Sequence, residues 1–448
     1  MDFISNKHPQ IQEMLQRIGV KQVDELFKAI PQSLLVPSPL EDDGLSEFEG
    51  LKLMESLAGK NTYASFDNYL GAGAYEHHVP ALVGAICSKS SFLTTYTPYQ
   101  AEISQGLLQA IFEFQSGICA LTGLDVANAS LYDGASACAE ALLMSLRWHK
   151  DRNKVLVAES LHPHYREVIE LYLRSHRTQI EWIPFLSDGR LDMEKCASSL
   201  DDQTAAVLTG YPNFFGVIDD IKQVSLLAKA RGALSIVCAN PLVYGLYASA
   251  KELEADIAVG DAQPFGMALQ FGGPYVGYMA CREHLLRQLP GRIVGETLDT
   301  QGRRGFLLTL QAREQHIRRE KATSNICTNQ ALAALAVLIT ILWYGKKGLP
   351  KWALTNFQRA SYLKEQLRKI PGIRLMGDAP IFNEFAYHIP GDFQRILQTF
   401  RENKIEPGVH LGDYYPSLKG YLLVAVTETK RQTELDHYAE VANALARS

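Results

Sequence analysis

The feature that most constrains the fold is a run of short apolar segments that alternate with helical segments between about residues 125 and 280. The apolar segments include Val155–Ala158, Ala205–Thr209, Leu234–Cys238 and Ile257–Val259. Strands of this kind, without polar alternation, are typical of a sheet covered on both faces. The repeated order of strand and helix favours a mostly parallel sheet with right-handed crossovers. The sequence therefore predicts an α/β domain.

The two ends of the chain differ from this central part. The start shows helical spacing up to Gly19, followed by prolines and an acidic link, so we expect residues 1–65 to form an N-terminal helical arm. After residue 325 two helices precede strands near 373–376, 382–388 and 421–426. This order predicts a large α/β domain at 66–325 and a smaller α+β domain at 326–448.

Composition excludes several classes of function. The net charge of -5 argues against nucleic acid as a partner, because nucleic-acid-binding domains usually carry a basic face. Seven dispersed cysteines without a Cys-x-x-Cys pair give no support for a metal site and fit a reducing compartment. The N-terminus lacks an apolar signal-peptide core, and the apolar run 331–344 is shorter than the roughly 20 residues that cross a bilayer. We expect a cytoplasmic protein without a membrane segment.

Three loop segments could carry chemistry, and each has a plain structural alternative. The turn around Asp133-Gly134 precedes a helix and either binds an anion or caps the helix through Asp133; the residue type favours capping. The segment Tyr96-Thr97-Pro98-Tyr99-Gln100 either lines a small pocket or packs as an aromatic turn. His77 stands in a loop, where a histidine is usually just hydrogen-bonded, and no Asp–His–Ser order indicates a triad.

The segment 313–330, which we call the fingerprint segment, carries the most specific pattern. Helical pairing of Glu314 with Arg318 explains its charges but not the run Thr323-Ser324-Asn325-Ile326-Cys327-Thr328. This run resembles the glycine decarboxylase P-protein family nearly letter for letter. The resemblance to this family extends to Pro290–Gly295, Asp299–Arg304, Phe382–Phe385, Gly408–Gly412 and the N-terminal stretches Ile11–Leu15, Ile18–Val20, Val23–Phe27 and Ile30–Pro31. The resemblance covers essentially the whole chain and is closest to the alpha subunit of the two-chain bacterial form.

The resemblance implies an aspartate-aminotransferase-like fold, the type I fold of pyridoxal-phosphate (PLP) enzymes, with three degenerate cofactor positions. The family's Schiff-base lysine stands nine residues before Gly-Gly-Pro, and counting back from Gly272 reaches Gln263, whose amide cannot form an imine. The aspartate that pairs with the pyridine nitrogen corresponds to Val237. Asp133 stands where the cofactor phosphate would bind and would repel it. PLP is therefore expected on a partner beta subunit.

The resemblance implies that this chain is one of the two kinds of subunit of a heteromeric enzyme. The two subunits form a heterodimer, and two heterodimers pair into a heterotetramer. The assembled enzyme decarboxylates glycine and passes the aminomethyl group to the lipoyl group of the H-protein, alongside the T and L proteins of the glycine cleavage system. No catalytic residue is expected on this chain. The residues expected to border the shared pocket at the subunit contact, by closing it and positioning substrate, are Tyr96, Thr97, Tyr99, Gln100, His77 and Thr323.

Two alternatives remain open at this point. The chain could be a stand-alone PLP decarboxylase or aminotransferase whose lysine lies elsewhere, although Lys251 and Lys321 stand in polar helical contexts and Lys89 precedes the sheet. It could also be a purely structural partner that takes no part in the pocket.

Overall fold

The computed structural model of the protein describes residues 6–35, 44–93, 97–270 and 272–447. The chain divides into two compact units, Met1–Thr62 and Tyr63–Ser448. The α-helices are α1 His8–Ile18, α2 Glu47–Ala58, α3 Ala81–Cys87, α4 Ser90–Leu93, α5 Gln105–Thr122, α6 Gly134–Trp148, α7 Pro163–Leu173, α8 Met193–Ser199, α9 Ile221–Ala230, α10 Gln315–Arg318, α11 Ala331–Arg368, α12 Phe393–Glu402 and α13 Gln432–Ala446. The strands are β1 Asp67–Asn68, β2 Val126–Ala127, β3 Lys154–Ala158, β4 Gln179–Ile183, β5 Thr204–Tyr211, β6 Leu234–Ala239, β7 Ile257–Asp261, β8 Gly277–Cys281, β9 Ile293–Leu298, β10 Arg304–Thr309, β11 Arg374–Leu375, β12 Glu384–His388, β13 Ile405–Glu406, β14 Val409–His410 and β15 Tyr421–Ala425.

The first unit is helical. Helix α1 ends at Gly19, which adopts the left-handed conformation (φ +86°) and donates its N–H to the last carbonyls of the helix. Helix α2 begins with a capping box, in which Ser46 and Glu49 satisfy each other's backbone N–H groups. The helix stop predicted at Gly19 is confirmed. The predicted domain boundaries at residues 65 and 325 stay predictions.

The second unit is built on a central sheet that has seven strands among the described residues, in the order β2-β8-β7-β6-β5-β3-β4. Strands β7, β6, β5, β3 and β4 run parallel, whereas β8 and β2 are antiparallel to their neighbours. Every residue of β3, β5 and β6 is buried. The predicted α/β fold with a mostly parallel sheet is confirmed.

The two faces of this sheet are covered by different helices because successive side chains point to opposite faces. Ile236 and Val259 pack on one face, in a core cluster formed with helix α6. Val237 and Ala258 pack on the other face, with helix α5 and the first half of α11. The sheet is therefore covered on both faces, as its continuous apolar strands require.

Helix α11 joins the central sheet to a second layer of structure. Gly345 (φ +58°, ψ -174°) interrupts it, so the two helices predicted at this place follow each other across a kink. Among the described residues α11 is the one helix long and apolar enough to cross a membrane by length and composition. Its first half nevertheless contributes Ala334, Val337 and Leu338 to the core, as a buried helix of a folded domain does.

The C-terminal part contains an antiparallel sheet that, within the described residues, has the order β11-β12-β15-β14. Phe385 and Tyr387 of β12 pack on one face against the second half of α11 and α13. Ala386 faces the opposite side, where it meets Phe214 and Phe215 from the loop after β5. This packing brings β12, and with it Glu384, to the ends of the central strands.

Candidate functional site

A small cavity of about 60 Å³, which we call the cleft, lies where β5, β6 and β7 end. The carboxyl edge of a parallel sheet is the usual place for a ligand in folds of this type. The polar and ionisable residues that line the cleft are Tyr75, His162, Tyr165, Asn213, Cys238, Asn240, Asp261 and Glu384. Each is held by contacts within the chain, and these contacts define what the cleft can do.

Gln263 is fully buried, and its side-chain amide is fully used. Its Oε1 accepts a hydrogen bond from the backbone N–H of Tyr75 at 2.9 Å. Its Nε2 donates to the backbone oxygens of Tyr75 and Met267, both at 2.9 Å. The amide thus pairs the turn after β7 with a loop 188 residues earlier in the chain. A side chain with these partners is a structural pin.

The N-terminus of α6 is occupied by two carboxylates. Asp133 caps the helix, because its Oδ1 accepts from the N–H of Ser136 at 2.7 Å. Asp261 Oδ2 accepts from the N–H of Gly134 at 3.2 Å. Burial raises the pKa of Asp261 to about 7, and the neighbouring charge of Asp133 acts in the same direction. The predicted capping by Asp133 is confirmed, and the backbone donors that would meet a phosphate face protein carboxyl groups.

A second buried carboxyl group closes the other side of the cleft. Glu384 accepts from the hydroxyl of Tyr75 and from the N–H of Ala72, each at 2.6 Å. Burial raises the pKa of Glu384 to about 7, although both hydrogen bonds lower it. The backbone passes so close that a Cβ on Gly71 would lie 2.3 Å from Glu384 Oε1.

His162 is neutral and has a fixed tautomer. Its Nε2 lies 2.8 Å from the carbonyl oxygen of Ala72, which can only accept, so Nε2 carries the proton. Its Nδ1 accepts from the N–H of His164 at 3.1 Å. Burial lowers the pKa of His162 to about 4. Both ring nitrogens are therefore engaged, and the ring stacks on Tyr165 at 4.7 Å between centroids.

Val237 lies one residue away from the cleft in β6. It is fully buried in the cluster that contains Phe114, Ala258 and Tyr278. Its neighbour Cys238 points to the opposite face and lines the cleft. At the position where the resemblance implies a charged partner for a pyridine nitrogen, the chain thus places an apolar side chain in its core.

The predicted pocket residues near Tyr99 lie apart from the cleft. Tyr96 lies outside the described residues. Tyr99 is 54% exposed, and its hydroxyl accepts from Nη2 of Arg292 at 3.0 Å. Thr97 is half-buried and accepts the N–H of Tyr99 through its carbonyl at 2.9 Å, while Gln100 is exposed. This turn also meets the fingerprint segment, because the Tyr99 ring contacts His316 at 5.9 Å between centroids.

The other two predicted residues occupy separate places. His77 is buried, with Nδ1 2.8 Å from Glu428 and its ring against Trp352. Thr323 lines a cavity of about 560 Å³ beside α6 and donates its N–H to the carbonyl of Arg313 at 3.0 Å. None of the described residues among the predicted set lines the cleft. The set divides into a surface group on and near the fingerprint segment and one internal histidine.

The comparisons with solved structures define first the class of fold. A sphingosine-1-phosphate lyase from Burkholderia pseudomallei superposes with a TM-score of 0.67 at 16% identity, over 94% of each chain. A NifS-like protein from Rickettsia africae superposes with a TM-score of 0.63 at 15% identity, over 86% of this chain and all of the other. At these identities the likeness concerns the fold alone, which is the type I fold of PLP enzymes.

The family follows from closer matches. The chain belongs to the glycine cleavage system P-protein family, whose profile matches residues 1–441. It is 64% identical over 99% of its length to all of a probable glycine dehydrogenase (decarboxylating) subunit 1 from Protochlamydia amoebophila. The protein of the same description from Desulfitobacterium hafniense is 48% identical over 97% of this chain and 98% of its own. A crystal structure of glycine decarboxylase (P-protein) with bound inhibitor has a TM-score of 0.89 at 38% identity, over 99% of this chain and all of the other.

The cleft does not fit PLP. It offers no amine, because Gln263 stands at the turn and its amide is fully hydrogen-bonded. The donors at the start of α6 are taken by Asp133 and Asp261. Its volume of about 60 Å³ is well below the roughly 300–1,000 Å³ of small-molecule pockets.

Sequence reasoning missed Glu384, Asp261, Tyr75 and His162 as members of one site. The available sign for Glu384 is a charged residue at the start of β12, directly before the apolar residues Phe385, Ala386 and Tyr387. Its partner Tyr75 is 309 residues away in the chain, so the pairing had no local pattern.

Proposed function

We propose that this chain is the subunit of a two-chain glycine cleavage P-protein that does not anchor PLP. With a second subunit it forms the enzyme that decarboxylates glycine and transfers the aminomethyl group to the lipoyl group of H-protein. The observation that carries the proposal is the buried amide of Gln263 at the position of the Schiff-base lysine. The full-length match to proteins described as subunit 1 supports it, since that description implies a second subunit.

In this proposal the partner subunit holds PLP, which supplies an electron sink for the loss of carbon dioxide. This chain contributes one wall of the reaction site and excludes water from it. The assembly is a heterodimer paired into a heterotetramer, H-protein docks on it, and the T and L proteins act in the same system. The protein works in the cytoplasm.

The wall consists of the turn with Tyr96, Thr97, Tyr99 and Gln100, together with Thr323. Support for this part comes from exposure and chemistry. Tyr99 and Gln100 are exposed, and phenol, amide and hydroxyl groups suit a small carboxylate substrate. His77 is included as a residue that acts from behind the wall, because it is 7% exposed and bonded to Glu428.

Reductive trapping tests which chain anchors the cofactor. The full chain, alone and together with its second subunit, is incubated with PLP, reduced with borohydride and mapped by peptide mass spectrometry. We expect the pyridoxyl label on the second subunit only. A labelled lysine on this chain would establish the stand-alone PLP enzyme instead. The Gln263→Lys variant serves as a stringent control, and we expect it to stay unlabelled because the cleft is too small and its anion-binding donors are occupied.

Substitution of the wall tests the chain's part in the reaction. Tyr99→Phe and Thr323→Val each remove one hydroxyl, and we expect kcat/KM for glycine in the assembled enzyme to fall about tenfold, the equivalent of one hydrogen bond. Tyr421→Phe, at a partly exposed tyrosine of β15, is the matched control and should keep full turnover. Unchanged turnover in both wall variants would favour the purely structural partner.

A further inference from the structure

Arg292 is a buried arginine that connects the two parts of the proposed wall. It directly precedes β9 and is 3% exposed. Its Nη2 donates to the Tyr99 hydroxyl at 3.0 Å and also to the carbonyl oxygen of Cys327. The guanidinium lies over the Tyr99 ring, with Cζ 5.2 Å from the centroid. One side chain therefore contacts both the turn 97–100 and the fingerprint segment.

The backbone around Arg292 is fixed from the opposite side. Its carbonyl accepts the N–H of Ala129 at 2.8 Å, and the preceding Pro290 carbonyl accepts from Asn128 at 3.0 Å. Arg313, from the fingerprint segment, donates to the carbonyl of Gly291 at 2.8 Å. The guanidinium thus projects from a rigid base, and the position of its planar donors sets the position of its acceptors.

The guanidinium of Arg292 faces one buried carboxyl group, that of Glu314. Its Nε lies 3.8 Å from Oε2 of Glu314, which is itself buried. The same Oε2 lies 3.8 Å from Nδ1 of His316, whose ring meets the edge of the Tyr99 ring. Tyr99, Arg292, Glu314 and His316 therefore hold one another, and among these four the Tyr99 and His316 side chains are the more exposed members.

We infer that Arg292 is a positioning residue for the glycine reaction, which fixes Tyr99 and the fingerprint segment in the arrangement that the partner's site requires. Because Nη2 donates to the Tyr99 oxygen, the phenol hydrogen is directed away from Arg292 and is free to donate outward. Tyr99 therefore presents a donor suited to a carboxylate. The inference deepens the proposed function and rests on it.

The test compares Arg292→Lys with Arg304→Lys. Both hydrogen bonds come from Nη2. Lysine keeps the charge, but its nitrogen ends a shorter side chain and its N–H groups are not coplanar, so it cannot reach both acceptors in the same geometry. Arg304 is the matched control, since it also pairs with a carboxylate, Glu296, and lies over an aromatic ring, that of Phe306, yet it is exposed. The first readout is the alkylation rate of the exposed Cys327 thiol in the full chain, measured by mass spectrometry against the buried cysteines. We expect it to rise severalfold in Arg292→Lys and to stay unchanged in Arg304→Lys.

The second readout is steady-state kinetics of the assembled enzyme. We expect Arg292→Lys to lower kcat/KM for glycine about tenfold, mainly through a higher KM, the effect of one misplaced charge-assisted hydrogen bond. Tyr99→Phe changes an exposed side chain and keeps the fold, so it keeps the test valid if Arg292→Lys does not fold. The double variant should lose little more than either single variant, because the two residues act as one unit.

Three results would overturn the inference, and they separate it from the proposed function. If Cys327 reactivity and glycine kinetics both stay at wild-type values in Arg292→Lys, Arg292 positions nothing. If Tyr99→Phe lowers turnover while Arg292→Lys does not, or the two losses add in the double variant, the proposed function stands and the positioning role fails. If Cys327 reactivity rises but neither variant affects turnover, Arg292 is structural and the wall itself is wrong.

Discussion

The cleft and the fingerprint segment carry similar residue types but use them in opposite ways. Glu384 and His162 in the cleft, and Gln263 beside it, are bonded to the backbone of residues 72–75. In the fingerprint segment and the turn 97–100 that contacts it, Cys327 and Tyr99 remain exposed, although the buried Arg292 holds both segments. A catalytic-looking residue type is therefore no guide to a reaction site unless its donors and acceptors are free. In this chain the polar groups of the cleft stabilise the fold, and the proposed wall of the reaction site lies on the exposed surface.

The largest expected effect comes from removing the buried Gln263 amide beside the cleft. Gln263→Leu leaves the N–H and carbonyl of Tyr75 and the carbonyl of Met267 without their partner in a buried place. Each of these three groups costs about 1–3 kcal/mol, so we expect the free energy of unfolding to fall by about 3–9 kcal/mol in total. Chemical denaturation followed by circular dichroism measures it.

Gln223→Leu is the control for this variant, because Gln223 is exposed on α9 and its replacement should change stability by less than about 0.5 kcal/mol. If Gln263→Leu costs no more than Gln223→Leu, the amide is not a pin. The conclusion that the polar groups in and beside the cleft serve stability, unlike those at the surface, would then have lost its main support.

A pH-dependent effect of intermediate size should come from the buried carboxyl groups of the cleft. The pKa values of Glu384 and Asp261 are raised to about 7, chiefly by burial. The folded state therefore binds these protons more tightly than the unfolded state. The resulting stability is complete below the ordinary carboxyl pKa and is lost as pH rises through about 7.

We expect the two carboxyl groups to lower the free energy of unfolding as pH rises from about 5 to 8, with Glu384 contributing about 3 kcal/mol. His162 acts in the opposite direction between about pH 4 and 6.5, because burial lowers its pKa to about 4, so the Glu384 contribution is read as the difference between wild type and Glu384→Gln. Glu384→Gln should flatten the profile by that amount. Glu181→Gln is the control: burial raises the pKa of Glu181, but hydrogen bonds from Lys154, Ser199 and Lys195 outweigh it and hold the pKa at about 2. The stabilisation that Glu181 provides is lost only below about pH 5, so Glu181→Gln should keep the slope of the stability profile between about pH 5 and pH 8. An equal slope in wild type and Glu384→Gln would refute the assignment.

Local patterns in the sequence predicted the features that depend on local physics. The central sheet was predictable because strands buried on both faces are apolar throughout, and the cap at Asp133 was predictable because capping needs only the next three residues. The absence of an amine at position 263 was equally visible in the sequence. The hydrogen bonding of the Gln263 amide was not predictable, because its partner Tyr75 lies 188 residues away.

The candidate site shows the same division. The resemblance selects Val237 as the counterpart of the aspartate that pairs with the pyridine nitrogen, and the structure adds that its side chain packs in the core while Cys238 lines the cleft. The neighbouring pair differs in face because strands alternate, and spacing alone does not say which face receives a ligand. The connection of Tyr99 to Cys327 through Arg292 joins three segments that are far apart in the chain, and no periodic pattern encodes it.

The smallest expected effect concerns the close approach of backbone to the cleft. A Cβ at residue 71 would lie 2.3 Å from Glu384 Oε1 and 2.4 Å from the Cβ of Ala425, so Gly71→Ala forces the carboxyl group or the strand to move. We expect a loss of about 1–3 kcal/mol in the free energy of unfolding, the usual cost of overpacking. Because the shift also disturbs the bonds of Glu384 to Ala72 and Tyr75, the stability profile between about pH 5 and pH 8 should become shallower.

Gly84→Ala is the matched control for Gly71→Ala, and we expect it to raise the free energy of unfolding rather than lower it. Gly84 lies inside α3 with no neighbouring atom within 4 Å of a new Cβ, so alanine should stabilise the protein by about 0.5 kcal/mol. Thermal or chemical unfolding of the two variants in parallel gives the comparison. If Gly71→Ala is as stable as Gly84→Ala, the loop before Tyr75 has room to relax. The cleft would then be a looser site than its hydrogen bonds indicate, and its contrast with the fingerprint segment would rest on Gln263 alone.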